Sequence, residues 1–203
     1  MDTILVALFS YLSGSIPFGF LVTKIFGKID VRNIGSGNIG ATNVLRTGNK
    51  FLAAATLTLD ILKGYIPVTI TAFYFNELIY LSCILAFIGH LFPIWLKFKG
   101  GKGVATYIGI LAALSIQLFL LFLFTWLVIS LIFKYSSLSS MFASLTVLVV
   151  NFIREIFIVT TNTSLSYKIV DSKILFIFLI LIIFTHRKNI SNLKNKKEKK
   201  IKI

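Results

Sequence analysis

The chain has 203 residues, of which 57% are apolar or aromatic and only 14% charged. With a mean hydropathy of +0.90, the apolar excess is larger than a soluble core of this length can hide; this excludes a secreted, disordered or DNA-binding domain and indicates a membrane protein. Lys and Arg number 21 against 7 Asp and Glu, a net charge of +14, so the basic excess must come from topology, from anionic partners, or from both.

A helix crosses the hydrocarbon layer with about 17–25 residues, and that length selects apolar segments at 3–26, 51–75, 78–96, 138–160 and 169–185. The first lacks the basic start of a cleavable leader and is read as a retained span. Between 104 and 133 lies an uncharged stretch too long for one untilted helix and short for two. Left whole, it gives six spans; divided into 104–115 and 117–133, it gives seven. With seven, the loops at 27–50, 97–103 and 134–137 and the tail at 186–203 share one side, together with Lys24 at the adjoining end of the first span, and only Lys63, Arg154, Lys168 and Lys173 among the Lys and Arg residues fall elsewhere. The positive-inside rule therefore selects an all-α integral membrane protein, a single membrane domain over 1–203. It has seven transmembrane helices, two of them short, with the N-terminus outside and the C-terminus cytoplasmic. Every Gly-rich or His-bearing loop then faces the cytoplasm, and the chemistry is expected at the inner membrane surface.

The first loop contains GSGNIGATNVLRTG. Its glycines, with Ser36, Asn38, Thr42 and Asn43, let backbone N–H groups approach an anion, and Arg46 can grip a phosphate with two donors. The string also satisfies GxGxxG, but a dinucleotide fold needs a βαβ setting that two flanking membrane spans do not supply. A plain flexible connector needs fewer Gly, Asn, Ser and Thr residues than this loop carries.

Span two holds Asp60 and Lys63 three residues apart, with Gly64 next and Pro67 beyond. Charges at membrane depth usually pair with each other, so a structural ion pair is preferred to a catalytic role. The second loop, GHLFPIWLKFKGGKGVAT, surrounds Lys102 with Gly100, Gly101 and Gly103 just before a helix begins at Val104, a setting for one bound anion. It is no Walker A loop: Leu96 stands where the first Gly belongs and Gly103 replaces the Ser/Thr. The turn KYSSLSS, ending at Ser140, adds hydroxyls. Near the C-terminus, His186 closes the last span, Asn189 lies one turn later on the same face, and Glu198 sits among lysines. Those lysines most simply attract anionic lipid; nucleic acid is a poorer partner, since no aromatics are interleaved. Cys83, alone, forms no intrachain disulfide, and with His90 and His186 it gives no zinc spacing; neither metal nor other cofactor is expected.

Taken in order, SGSIP at 13–17, GSGNIGATNVLR at 35–46, DILKG at 60–64, GHLFP and FKGGKGVAT within 89–106, and HRKNI with the later Glu at 186–198 closely resemble the bacterial acyl-phosphate:glycerol-3-phosphate acyltransferases, the PlsY family. The resemblance implies a seven-helix enzyme of the bacterial cell membrane with its active site facing the cytoplasm. Such an enzyme transfers a fatty acyl group from acyl phosphate to the 1-position of sn-glycerol 3-phosphate and releases lysophosphatidic acid and phosphate, the first acylation of phospholipid synthesis. It implies no cofactor, and as a partner a soluble acyltransferase that makes the acyl phosphate. Carried over by position, Gly100, Gly101, Lys102 and Gly103, with Asn38 and Thr42, hold the donor. Ser36, Arg46, Lys102, His186, Asn189 and Ser140 line the glycerol phosphate; His186, Lys102 and Arg46 serve catalysis, and Asp60, Lys63 and Glu198 support. The chain departs from the family's common pattern at Ser139 and Lys196, where Gly is usual, and at Asn192, where Arg is usual.

An acyl phosphate is already activated, so the barrier lies in placing the hydroxyl, removing its proton and stabilising charge. Direct transfer is favoured over an acyl-enzyme, with the proton going to His186 or to a phosphate oxygen of the donor. Two rival classes stay open at this level. A transporter for an organic phosphate anion would set its site near the midplane, and a non-catalytic scaffold recruiting partners by its tail would leave both Gly-rich loops unexplained.

Overall fold

The computed structural model describes residues 1–161 and 170–201. The outer loop with Lys168, the start of the segment expected at 169–185, and the end of the tail at Lys202 lie outside the described residues. Among the described residues all regular structure is helical. The chain divides into two compact units, Met1–Leu114 and Ser115–Ile203.

In the N-terminal unit, the first apolar segment is not one helix. α1 (Asp2–Ser15) and α2 (Phe18–Phe26) are bent by 42°, because Pro17 pushes Ile16 out of the helical region to ψ 118°. A short α3 (Ala41–Val44) lies in the first Gly-rich loop. α4 (Lys50–Tyr74) opens on the Asn49 side chain, which accepts from the Leu52 N–H at 3.1 Å. α5 (Ile79–Leu91) stops before Pro93, short of the segment expected to reach residue 96, and only a 3-10 turn at Ile94–Leu96 follows. α6 (Val104–Leu114) follows the second Gly-rich loop.

These helices approach one another through glycine. A Cβ on Gly64 or Gly109 would strike the carbonyls of Thr106 and Ile61 across the α4 and α6 pair, and one on Gly14 or Gly89 would strike Ala86 and Tyr11 across α1 and α5. Without water to drive apolar surfaces together, such close backbone approach is how helices gain dispersion energy in a bilayer. Polar pins reinforce the α1 and α5 side: Ser10 Oγ donates to Ser82 Oγ at 2.8 Å, Tyr11 Oη to the Phe92 carbonyl at 2.9 Å, and Trp95 Nε1 to Ser15 Oγ at 2.9 Å. A buried cluster of Val22, Val31, Ile39, Val44, Leu52, Ala53 and Leu96 underlies the first Gly-rich loop.

In the C-terminal unit, the chain turns at Ser115, whose hydroxyl caps α7 (Ile116–Phe133). The turn lies within the expected 114–117 region. α8 (Ser136–Thr161) begins after a connection of only Lys134 and Tyr135, so half of the loop expected at 134–137 is helix. α9 (Ser172–Thr185) starts on an Asp171 cap. Asn151 ties α8 to its start, donating to the Val170 carbonyl at 2.7 Å and to Ser172 Oγ at 2.9 Å. Past a 58° bend at His186, the basic tail opens as α10 (Arg187–Lys194).

Lys50–Tyr74, Asn76–Leu96, Ile116–Phe133 and Ser136–Thr161 are each long and apolar enough to cross a membrane, and counting each bent pair as one span raises this to six. Val104–Leu114 is apolar but shorter. Large apolar side chains such as Phe73, Phe124, Phe133, Phe152 and Phe176 are exposed, the surface of a protein solvated by lipid.

Candidate active site

The first Gly-rich loop is organised by a residue that composition alone did not single out. Asn43, 3% exposed, accepts from the Ser36 N–H at 2.9 Å, and its Nδ2 lies within donating distance of the carbonyls of Val31 (3.1 Å), Ile34 (2.9 Å) and Asn38 (2.8 Å). The chain can wrap this amide because Gly35 and Gly37 take φ of +57° and +71°. Arg46 lies along Gly35: a Cβ there would sit 2.8 Å from Arg46 Cδ and 3.1 Å from Nη1. Ser36, Thr42 and Arg46 are exposed on the loop surface, two hydroxyls and a guanidinium suited to a phosphate. Asn38 is half-buried, its Oδ1 accepting from the Gly40 N–H at 2.8 Å.

Another cation of this loop has a structural role. Arg32 is clamped by Asp30 at 2.6 Å and lies 4.5 Å from the Phe20 ring centroid. The Arg32 hydrogen bond holds the Asp30 carboxyl down at about 2, and the same bond raises Arg32.

The second loop uses its glycines differently from the sequence expectation. The N–H groups of Gly100 and Gly101 donate to the carbonyls of Leu91 and His90 at 3.0 and 3.1 Å, at the C-terminus of α5. They cap that helix end, and Lys102 follows them two residues before α6 begins at Val104, where a helix start favours an anion. Gly101 lies on the buried His90 ring, where an added Cβ would collide with Nε2, and Gly103, at φ +83°, lies on the Phe87 ring.

Asp60 and Lys63 form a buried pair at 2.7 Å, and Lys63 Nζ also donates to the Ile16 carbonyl at 2.7 Å, at the α1–α2 break. The two charges thus meet each other across one helical turn.

In the C-terminal unit, His186 is 2% exposed. Its Nδ1 lies 2.8 Å from the Ile182 carbonyl, which can only accept, so Nδ1 carries a proton. Glu198 gathers the tail: Asn189 Nδ2 donates to Oε1 at 2.6 Å, Ser137 Oγ to Oε1 at 2.9 Å, and Asn192 Nδ2 to Oε2 at 3.3 Å. Asn192, where the family's usual Arg is missing, thus still meets the carboxylate. The tail returns further, the Ile201 N–H donating to the Lys134 carbonyl at 2.8 Å. Ser140 is buried, donating to the Ser136 carbonyl at 2.9 Å and accepting from Trp126 Nε1 at 3.1 Å. His90, Thr106 and Ser137 were not expected as parts of this machinery, and Asn43 was expected only as one polar residue of the loop. Asn43 and His90 lie inside the strings GATN and GHLFP, but only the folded path of the loops gives them their partners.

Comparison with known proteins matches the chain to one family. The family model described as Glycerol-3-phosphate acyltransferase matches residues 4–196. A glycerol-3-phosphate acyltransferase of Pelagibacter ubique is 53% identical over 203 residues, covering all of both chains, and one of Mesorhizobium japonicum is 50% identical, covering 98% of this chain and 95% of its own. Crystal structures of PlsY, an integral membrane glycerol 3-phosphate acyltransferase, superpose with TM-scores of 0.88 in the glycerol 3-phosphate form and 0.87 in the lysophosphatidic acid form. They share 34% and 33% identity and cover all of this chain and 96% of each structure. The family match and the full-length similarity show that the chain belongs to the glycerol-3-phosphate acyltransferase family and is a multi-pass membrane protein.

Proposed function

We propose that this protein transfers a fatty acyl group from acyl phosphate to the 1-hydroxyl of sn-glycerol 3-phosphate, forming lysophosphatidic acid and inorganic phosphate. The hydroxyl oxygen attacks the acyl carbonyl carbon, the carbon–oxygen bond to phosphate breaks, and phosphate leaves with that electron pair. The hydroxyl proton goes to His186 Nε2 or to an oxygen of the donor phosphate. Lys102 and the opening turn of α6 stabilise the leaving phosphate, while Gly100, Gly101 and Gly103 let the loop backbone lie close and Thr42 and Asn38 complete the donor site. Arg46, Ser36, Asn189 and Ser140 orient the acceptor, and Glu198 fixes Asn189. The observation that carries this reading is the second Gly-rich loop, whose backbone folds onto the end of α5 and brings Lys102 to the start of α6, a place that favours an anion.

The accompanying topology is seven spans, counting α1 with α2, α6 and α9 each as one, with the N-terminus outside and the site and tail in the cytoplasm. The basic tail meets anionic lipid, and a soluble acyl-phosphate-producing enzyme supplies the donor. Purified protein in detergent, given palmitoyl phosphate and glycerol 3-phosphate, should release phosphate and lysophosphatidic acid in equal amounts. No product, or product only with acyl-CoA, would overturn the assignment. His186→Ala retaining most turnover would give the proton to the donor phosphate instead.

A further inference from the structure

Beneath the second Gly-rich loop lies a set of buried polar side chains to which the acyl transfer gives no direct task. Asp60, Lys63, His90 and Thr106 are 2%, 4%, 3% and 0% exposed and come from α4, α5 and α6. His90 Nδ1 stands 3.0 Å from Thr106 Oγ1 and 3.9 Å from Asp60 Oδ1. The ring is therefore held on one edge by α6 and faces the Asp60–Lys63 pair. Its other edge faces the loop: a Cβ on Gly101 would meet Nε2, with Cε1 and Cδ2 at 3.0 and 3.1 Å, while the Gly101 N–H donates to the His90 carbonyl. One residue thus touches the loop through both its backbone and its ring, directly before Lys102. Burying charges is an expensive way to pin helices, and neutral hydroxyls already pin α1 to α5 in this unit.

We propose that His90 is a positioning residue, the floor on which the Gly100–Gly103 loop rests, with Thr106 and the Asp60–Lys63 pair fixing the ring's orientation. His90 touches no reacting atom; it acts by setting where Lys102 stands, and small misplacements at a reacting centre carry large rate penalties. The proposal rests on the reading of that loop as the donor phosphate site.

The test uses purified His90→Ala, His90→Asn and Thr106→Val enzyme, read by amide exchange over residues 98–104 and by KM and kcat for both substrates. In His90→Ala, exchange at Gly100 and Gly101 should accelerate, and the KM for palmitoyl phosphate should rise about tenfold, with a several-fold smaller change for glycerol 3-phosphate. His90→Asn, whose amide replaces Nδ1 toward Thr106, should recover most of both effects, and Thr106→Val should move both in the direction of His90→Ala by less. If His90→Ala does not fold, the other two variants decide: unaltered loop exchange and unaltered KM in Thr106→Val would overturn the proposal. So would equal losses for both substrates that His90→Asn does not restore. Failure of the wild type to use acyl phosphate would sink the functional reading, while the exchange measurements would still test the positioning.

Discussion

The two Gly-rich loops share clustered glycines and basic side chains but are opposite in construction. The first is shaped from within: left-handed turns at Gly35 and Gly37 wrap the chain around the amide of Asn43, leaving Ser36 and Arg46 at the surface. The second is shaped from below: Gly100 and Gly101 are small because the end of α5 and the His90 ring come too close for any side chain. Glycine supplies conformational freedom in one loop and clearance in the other. The first should therefore fail when its central hydrogen-bond partner is removed, the second when its floor is crowded.

The largest effect is expected from Gly101→Ala. The new methyl meets a ring hemmed in by Thr106 and Asp60, and strain of about 1–3 kcal/mol must be relieved by lifting the loop. Turnover should fall about 100-fold in the phosphate-release assay. Asn43→Ala comes next. It leaves one N–H and three carbonyls without their partner, a loss of roughly 2–4 kcal/mol measured by thermal unfolding, and should raise the KM for glycerol 3-phosphate. Gly48→Ala isolates conformation from clearance, since φ is +86° and no atom lies within 4 Å of the added Cβ. It should cost about 1 kcal/mol of stability and leave both KM values unchanged. An equal effect of Gly48→Ala and Gly101→Ala would erase the distinction between the loops.

The smallest effect concerns the exposed Asp30–Arg32 clamp. With the Asp30 carboxyl lowered to about 2, its stabilising contribution is complete above the unfolded value near ~4 and is lost as pH falls through about 2. Asp30→Asn should thus leave the shape of the stability curve between pH 5 and 8 unchanged, with a shift in Tm under about 1 °C, as exposed pairs usually give. A pH-dependent difference in that window would contradict the assignment.

Much of this was legible in the chain because it is local. Apolar runs mark the helices, Ser115 and its neighbours mark the turn after α6, and the strings carrying Arg46, Lys102 and His186 announce anion chemistry. The break at Pro17 was written in SIP, but uninterrupted hydropathy over 3–26 outweighed one proline. What stayed hidden depends on long-range contact. Gly100 and Gly101 looked like anion donors because nothing in FKGGKGV tells that the loop folds back onto Leu91 and His90. Asn43 looked like one polar loop residue among many, and Glu198 like a stray acid among lysines, until their partners came within 3.3 Å.

The glycine-lined contacts of α4 with α6 and α1 with α5 also bear on temperature. Adhesion that depends on excluding water weakens on cooling, as the hydration of apolar groups becomes less unfavourable. Backbones meeting through Gly64, Gly109, Gly14 and Gly89 adhere by shape, with no hydration shell to release inside the bilayer. The frame beneath both loops is thereby insulated from cold, and a chill that stiffens the surrounding lipid leaves the grip between these helices largely intact.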